Sequence, residues 1–324
     1  MDKNKVLELC MDVRYKKSSV EDQTPEQRRA ELNQLFADLL AKGYERSKIE
    51  INEIIKVNID QLLPSRVEEA LGVIAEIATV GHGQKKEYWV RNGKITATYV
   101  ALGAEIHRQK IYKRKIDVIP FALGGSAYIE YDDLLSGRAA EYFTNIVDEI
   151  IDAIMEKIMG SIETTFVAAM GTAPALNQYA GLFNLTQLRS VCNTIAAYGN
   201  PVIIGTNIAL ANITSDNNFR AIMSDNMKDI LNRNGFIGTW EGKALVNLPN
   251  SFTDTTNTTW QLSNNYLYVV PVGQDKVIKI TFEGDSIIPA DHQDFDTLQI
   301  TKKVIKKTGI NILQTHNIGL ITIS

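Results

Sequence analysis

The chain has 324 residues, 44% of them hydrophobic and 22% charged, the make-up of a globular protein with one sizeable core or two modest ones, and not of a disordered or fibrous chain. Its formal charge of −4, from 34 basic and 38 acidic residues, exerts no global pull toward nucleic acid, so any electrostatic partner has to be sought locally. The opening MDKNKVLELC breaks the apolar run a secretory signal needs, no stretch approaches the roughly 18 apolar residues of a membrane span, and Cys10 and Cys192 lie far apart, so the expectation is folding in a cytosol with reduced, structural thiols.

Residues 1 to about 83 read as helices. Thr24, Pro25 and Gln27 form a capping-box start, Leu32, Leu35, Phe36, Leu39 and Leu40 share one apolar face, and Gly43 supplies a stop. A second box, Ser65 with Glu68, predicts a helix that carries Val67, Leu71, Ile74 and Ile77 and ends near Gly81. These apolar faces must cover this chain's core or a neighbour's surface. As an interaction arm, the first 60 or so residues are expected to be removable with the core still folded.

From about residue 84 the pattern becomes that of strands. KKEYWV, the pair Asn92-Gly93 and KITATYVAL predict a β-hairpin turning at that pair, and its second limb continues into IHRQKIYKRKIDVIPF. Arg108, Lys110, Lys113, Arg114 and Lys115 crowd together there, and Gln84 to Val118 holds nine Lys or Arg against three acidic residues, a net +6.

After IDVIPFALGG comes the longest predicted helix, about Arg138 to Met170, with Phe143, Ile146, Val147, Ile150, Ile151, Ile154, Ile158, Ile162 and Phe166 at spacings of three and four. At about 1.5 Å per residue it runs nearly 50 Å. The window Glu130 to Met170 has nine acidic residues and two basic ones, a net −7 that nearly mirrors the hairpin. Residues 171 to 285 then alternate short helices and strands as an α/β unit with a loop, SFTDTTNTTW, at its surface. The closing LQITKKVIKKTGINILQTHNIGLITI alternates like strands and is expected to rejoin the long-helix module.

Catalytic and metal signatures are missing from this pattern. No GxxxxGK[ST] loop, GxGxxG after a strand, HExxH or paired CxxC occurs, and GGSAY at Gly124 to Tyr128 lacks the last glycine of a nucleophile elbow. Asp291, His292, Asp294 and Asp296 have oxygen-ligand chemistry but read as a solvated loop. No enzyme, metal or cofactor is expected. The basic hairpin, with Tyr88, Trp89, Tyr99 and Tyr112, admits a nucleic-acid arm, a solvated ribbon, or a ribbon that docks on another subunit's acidic surface; the last accounts for both its charge and its length.

The order of elements from about residue 60 onward resembles the major capsid protein of tailed bacteriophages, the Hong Kong 97 fold. IDVIPFALGGSAYIEYDDLLSGR looks like that family's strand into its spine helix, NRNGFIGTWEGKALVNLPN like a peripheral-domain segment, and YLYVVPVGQDKVIKITFEG like the strands that follow. The resemblance implies an α+β fold with a helical amino-terminal arm (1–63), a peripheral domain (64–83, 119–175 and 286–324) with a spine helix at 138–170, an extended hairpin loop (84–118) and an axial domain (176–285). It implies a subunit that assembles with itself, as hexamers and pentamers, into an icosahedral head in the host bacterial cytoplasm. The head encloses double-stranded DNA non-specifically, alongside portal and scaffolding proteins, with no membrane or small-molecule partner. The expected inter-subunit contacts are Lys85, Lys86, Arg91, Lys94, Arg108, Lys110, Lys113, Arg114 and Lys115 on the hairpin, against Asp148, Glu149, Asp152 and Glu156 on a neighbour's long helix. A Lys–Asn cross-link known in the family is not carried over, because no asparagine or glutamate matches by motif. An encapsulin-like bacterial compartment and a DNA-binding architectural protein are the alternatives.

Overall fold

A computed structural model of the chain describes residues 3–16, 19–20, 23–42, 44–92, 97, 99, 108–130, 139–234, 238–273, 275–288, 292–294 and 299–324. In chain order its helices and strands are α1 (Lys3–Tyr15), α2 (Pro25–Ala41), α3 (Tyr44–Leu71), β1 (Ala75–Val80), β2 (Glu87–Asn92), β3 (Tyr112–Asp117), β4 (Phe121–Glu130), α4 (Ala139–Met170), β5 (Gln178–Gly181), α5 (Leu185–Ala196), β6 (Asn200–Thr206), α6 (Asn207–Ser215), α7 (Asn217–Ile222), α8 (Asp225–Asn234), β7 (Thr239–Trp240), β8 (Lys243–Leu248), β9 (Tyr266–Val272), β10 (Ile278–Ile287), β11 (His292–Asp294), β12 (Gln299–Ile312) and β13 (Gly319–Ile323). They form two compact units, each assembled from three stretches of chain: Met1–Val73, Phe121–Ile162 and Phe282–Thr308 in the first, Ile74–Pro120, Glu163–Thr281 and Gly309–Ser324 in the second.

In the first unit the α2 capping box forms as the sequence predicts: Thr24 N donates to Gln27 Oε1 at 2.7 Å and Gln27 N donates to Thr24 Oγ1 at 3.3 Å. The box at Ser65 does not start a helix. Instead α3 runs without a break through Pro64, at the cost of one i→i−4 hydrogen bond. Ile51, Ile54, Ile55, Ile59, Leu62, Leu63, Val67 and Leu71 keep one buried face across the proline, and that burial outweighs a local start signal. The helix then stops at Gly72, whose N–H donates to Glu68 O at 2.7 Å. A Cβ there would lie 2.3 Å from the same oxygen, so only glycine fits. Ile77, expected on the helix, lies in strand β1.

The amino-terminal helices are integral to this unit. Val6, Leu9, Leu32, Phe36 and Leu39 are buried, and α3 is tied to β12 by Lys302 Nζ donating to Asn52 Oδ1 at 2.7 Å and by Lys306 Nζ on Asp60 Oδ1. β4 pairs antiparallel with β12 from Phe121↔Thr308 to Glu130↔Gln299, so the strand leading into the long helix does meet the returning chain, as expected. Gly125 of β4 lies against Ile150 of α4.

The second unit contains a six-stranded sheet of order β5-β13-β9-β6-β8-β7. Its core gathers Leu188, Cys192 and Ile195 of α5, Ile203, Leu210, Trp240, Val269 and Ile321. The run PVIIGT is buried throughout, as a strand covered on both faces should be. Helix α6, which the sequence reading missed, is capped by Thr206 Oγ1 accepting from Ala209 N at 3.3 Å. β13 lies in this sheet between β5 and β9, parallel to the first and antiparallel to the second.

This unit also carries the hairpin, whose ladder corrects the expected turn. β2 pairs with β3 from Glu87↔Asp117 to Asn92↔Tyr112, so KKEYWV is partnered by the basic strip, and the ladder runs through Asn92 where the sequence predicts the turn. Most of 93–107 falls outside the described residues. A two-residue turn is a strong local signal, yet the longer pairing lets Tyr88, Val90 and Ile116 bury with Val118 and Leu313.

Candidate assembly interface

Strand alternation sorts the hairpin's side chains onto two faces. Tyr88, Val90 and Ile116 point into the buried cluster at its root, while Glu87, Trp89, Lys113, Lys115 and Asp117 share the other face. Trp89, opposite Lys115, is 60% exposed. Among the expected contact residues, Lys85, Arg108, Lys110, Lys113 and Arg114 are exposed, and Lys86 is half-exposed. Lys110 Nζ sits 5.2 Å from the Tyr112 ring and Lys86 Nζ 5.9 Å from that of Tyr88. Lys115 is paired within the hairpin to Glu87 and, at 3.8 Å, to Asp117; the Glu87 carboxylate holds its ammonium above the ordinary lysine value. Arg91 pairs by its backbone with Lys113, its side chain lying outside the described residues, as does Lys94 entirely. The hairpin therefore presents a basic, aromatic surface with few internal carboxylates to neutralise it.

The acidic side is less open than the charge count suggests. Asp148 lies 3.2 Å from the Arg66 guanidinium and also meets Arg14; Asp152 meets Arg66 as well. Glu149 and Glu156 are exposed on the same helix. Sequence reading missed both arginines because Arg66 is 82 positions from Asp148, beyond any spacing rule. Asp152 is exposed as well, while Asp148 is half-buried.

Elsewhere, a cavity of about 270 Å³ lies between α1 and α3, lined by Val6, Leu7, Glu50, Glu53, Ile54, Val57 and Asn58. Both cysteines are buried, and burial pushes their thiols up to about 11 for Cys10 and about 12 for Cys192, so each stays a protonated core thiol at neutral pH. Among the described residues no cluster of three His, Cys, Asp or Glu is arranged to hold a metal ion. The side chains of Asp291, His292, Asp294 and Asp296 lie outside that set. No helix among the described residues is long and apolar enough to cross a membrane.

Residues 5–322 match a family described as "SPbeta prophage-derived putative capsid protein YonB". The chain belongs to the YonB family. A YonB relative from Bacillus subtilis (strain 168), described as an SPbeta prophage-derived uncharacterized protein, is 22% identical over 284 residues, covering 84% of this chain and 83% of its own length. Solved structures share the fold at lower identity. The satellite phage P4 procapsid aligns with a TM-score of 0.54 at 12% identity, over 81% of this chain and 90% of that one. The head of Helicobacter pylori bacteriophage KHP40 aligns at 0.52 and 11% identity, over 79% and 90%. The bacteriophage PhiM1 mature capsid aligns at 0.51 and 9% identity, over 76% and 85%. The chain thus has the α+β Hong Kong 97-type fold of tailed-phage major capsid proteins, and family and fold together make it a structural capsid protein of the virion.

Proposed function

We propose that this chain builds the icosahedral head shell of a tailed double-stranded DNA phage, assembling with itself as hexamers and pentamers in the host bacterial cytoplasm. The observation that carries the reading is the family match over residues 5–322, supported by the shared capsid fold. The role is architectural and not enzymatic, with no cofactor. The enclosed genome is held non-specifically, and portal and scaffolding proteins complete the head.

Within the subunit, residues 176–285 together with β13 act as the axial domain that clusters around capsomer axes, and 64–83, 119–175 and 286–318 act as the peripheral domain with α4 as its spine. The hairpin at 84–118 is the inter-subunit tie. It docks Lys85, Lys86, Arg91, Lys94, Arg108, Lys110, Lys113, Arg114 and Lys115 on a neighbour's acidic α4 stripe. Glu149 and Glu156 meet the hairpin directly, while Asp148 and Asp152 contribute through a field already shared with Arg14 and Arg66. The net +6 of 84–118 against the net −7 of 130–170 supports that pairing.

Electron microscopy of the purified chain tests the function. Closed shells of one or a few sizes are expected, with double-stranded DNA inside those recovered from phage-producing cells. Shells filled with a protein cargo would instead favour an encapsulin-like compartment, and a monomer or dimer with steeply salt-dependent DNA affinity an architectural protein.

A further inference from the structure

Lys279 of β10 is 1% exposed, an ammonium placed where proteins seldom leave one. Its Nζ donates to Asp275 Oδ1 at 2.7 Å and to Glu76 of β1, and it lies 4.9 Å from the centroid of the Tyr88 ring at the root of the hairpin. The two carboxylates are 41% and 69% exposed, so solvent solvates them whether or not the lysine is present. The Tyr88 ring is buried, and the only other cation near it among the described residues, Lys86, lies farther off at 5.9 Å.

The other limb of the hairpin root is held by close backbone approach. Val118 N donates to Lys86 O at 3.2 Å, closing the base of the ladder. A Cβ on Gly309 would come within 2.6 Å of Val118 Cγ1 and 3.3 Å of Ile119 O. Both limbs are thus pinned where they leave the unit, one by a cation on an aromatic face and one by the missing side chain of a glycine. Farther out, Trp89 and Tyr112 stand exposed. The six-residue ladder is a lever of about 20 Å at roughly 3.4 Å per residue, so a tilt of about 10° at its root moves its end by roughly 3–4 Å.

A buried ion pair is weak evidence for stability, since an apolar side chain of similar volume often serves as well. A cation over a ring, by contrast, is directional: the attraction needs the ammonium over the ring face within about 6 Å. We propose that Lys279 and Tyr88, with Gly309, are positioning residues that set the angle at which the hairpin leaves its unit, and through that angle the curvature of the shell. The inference rests on the hairpin being the inter-subunit tie, and it adds the part of the fold that aims it.

The test compares Lys279→Met, Tyr88→Leu, Tyr88→Phe and Gly309→Ala with the unaltered chain, each checked by circular dichroism and by particle size in electron microscopy. Tyr88→Phe keeps the ring face and should give shells of the original size. Lys279→Met, Tyr88→Leu and Gly309→Ala should stay folded yet give at least tenfold fewer shells of that size, replaced by tubes, sheets or a spread of diameters. Folded Lys279→Met and Tyr88→Leu variants that assemble at the original size and yield overturn the proposal. So does loss of the folded signal in both, which would make these residues supports of stability alone. A fourfold charge reversal of the hairpin (Lys110, Lys113, Arg114 and Lys115 to Glu) separates the two readings. If it too assembles normally, the hairpin is not the tie; if it alone blocks assembly, the tie stands and the aiming role falls.

Discussion

Asp60 concentrates the cost of burying charge. Its Oδ1 accepts from Ser286 N at 2.9 Å, from Ser286 Oγ at 2.6 Å and from the buried Lys306 ammonium, which also donates to Gly284 O at 2.7 Å. Removing the carboxylate leaves a buried cation without its counter-ion, and such losses cost about 3–5 kcal/mol. Asp60→Ala should therefore lower denaturant stability by that order, and adding Lys306→Met to it should recover much of the loss. No recovery would mean that the hydrogen bonds to Ser286 matter more than the ion pair. Glu163 poses the opposite case. Burial raises its carboxyl above the usual glutamate value of 4.5, against the pull of the Ser263 N–H, 3.1 Å from both oxygens, and of the neighbouring Tyr268 hydroxyl. A carboxyl raised on folding gives its full stabilisation below the unfolded value and loses it as pH climbs through the folded one. Glu163→Gln should thus gain in melting temperature relative to the unaltered chain as pH rises from about 4.5 toward about 7; a difference that is flat across that range would mean Glu163 titrates normally.

The hairpin and the amino-terminal helices separate two ways an element serves a shell. The hairpin's cations face solvent, where each ion pair is worth about 0–1 kcal/mol and is screened beyond roughly 8 Å at physiological salt. Weak pairs of this kind guide docking and let a lattice correct errors. Changing Lys110, Lys113, Arg114 and Lys115 to Glu should leave the subunit folded and stop assembly, and Glu149→Lys with Glu156→Lys in the same chain should restore part of it. Reversing Asp148 and Asp152 as well is a poorer rescue, because both already answer Arg66 within the subunit. Assembly unaffected by the hairpin changes, with only DNA retention lost, would turn the strip toward the genome. The helices behave otherwise. Since α3 supplies Asn52 to Lys302 and Asp60 to Lys306, and its apolar face is buried, deleting residues 1–60 should unfold the first unit instead of freeing an arm. A truncated chain with an unchanged cooperative transition would restore the arm reading.

Much of the subunit is legible along the chain because many of its signals are local. Thr24 with Gln27 makes its capping box, the three-and-four spacing of isoleucines from Ile146 to Ile162 builds α4, and PVIIGT and YLYVVPV form buried strands, each set by neighbours within a turn or a pleat. The mirrored charges of 84–118 and 130–170 likewise stand in the composition of those windows. What only folding decided depends on residues far apart. α3 passes through Pro64 because its buried face continues on the other side, β2 takes the basic strip as its partner with the ladder running through Asn92, and β13 slips between β5 and β9. The lysines at 302 and 306 are core residues because Asn52 and Asp60 reach them from 250 and 246 positions away. Periodicity reports which side of an element is apolar, but which distant group meets a buried charge is settled by the packing that desolvates it.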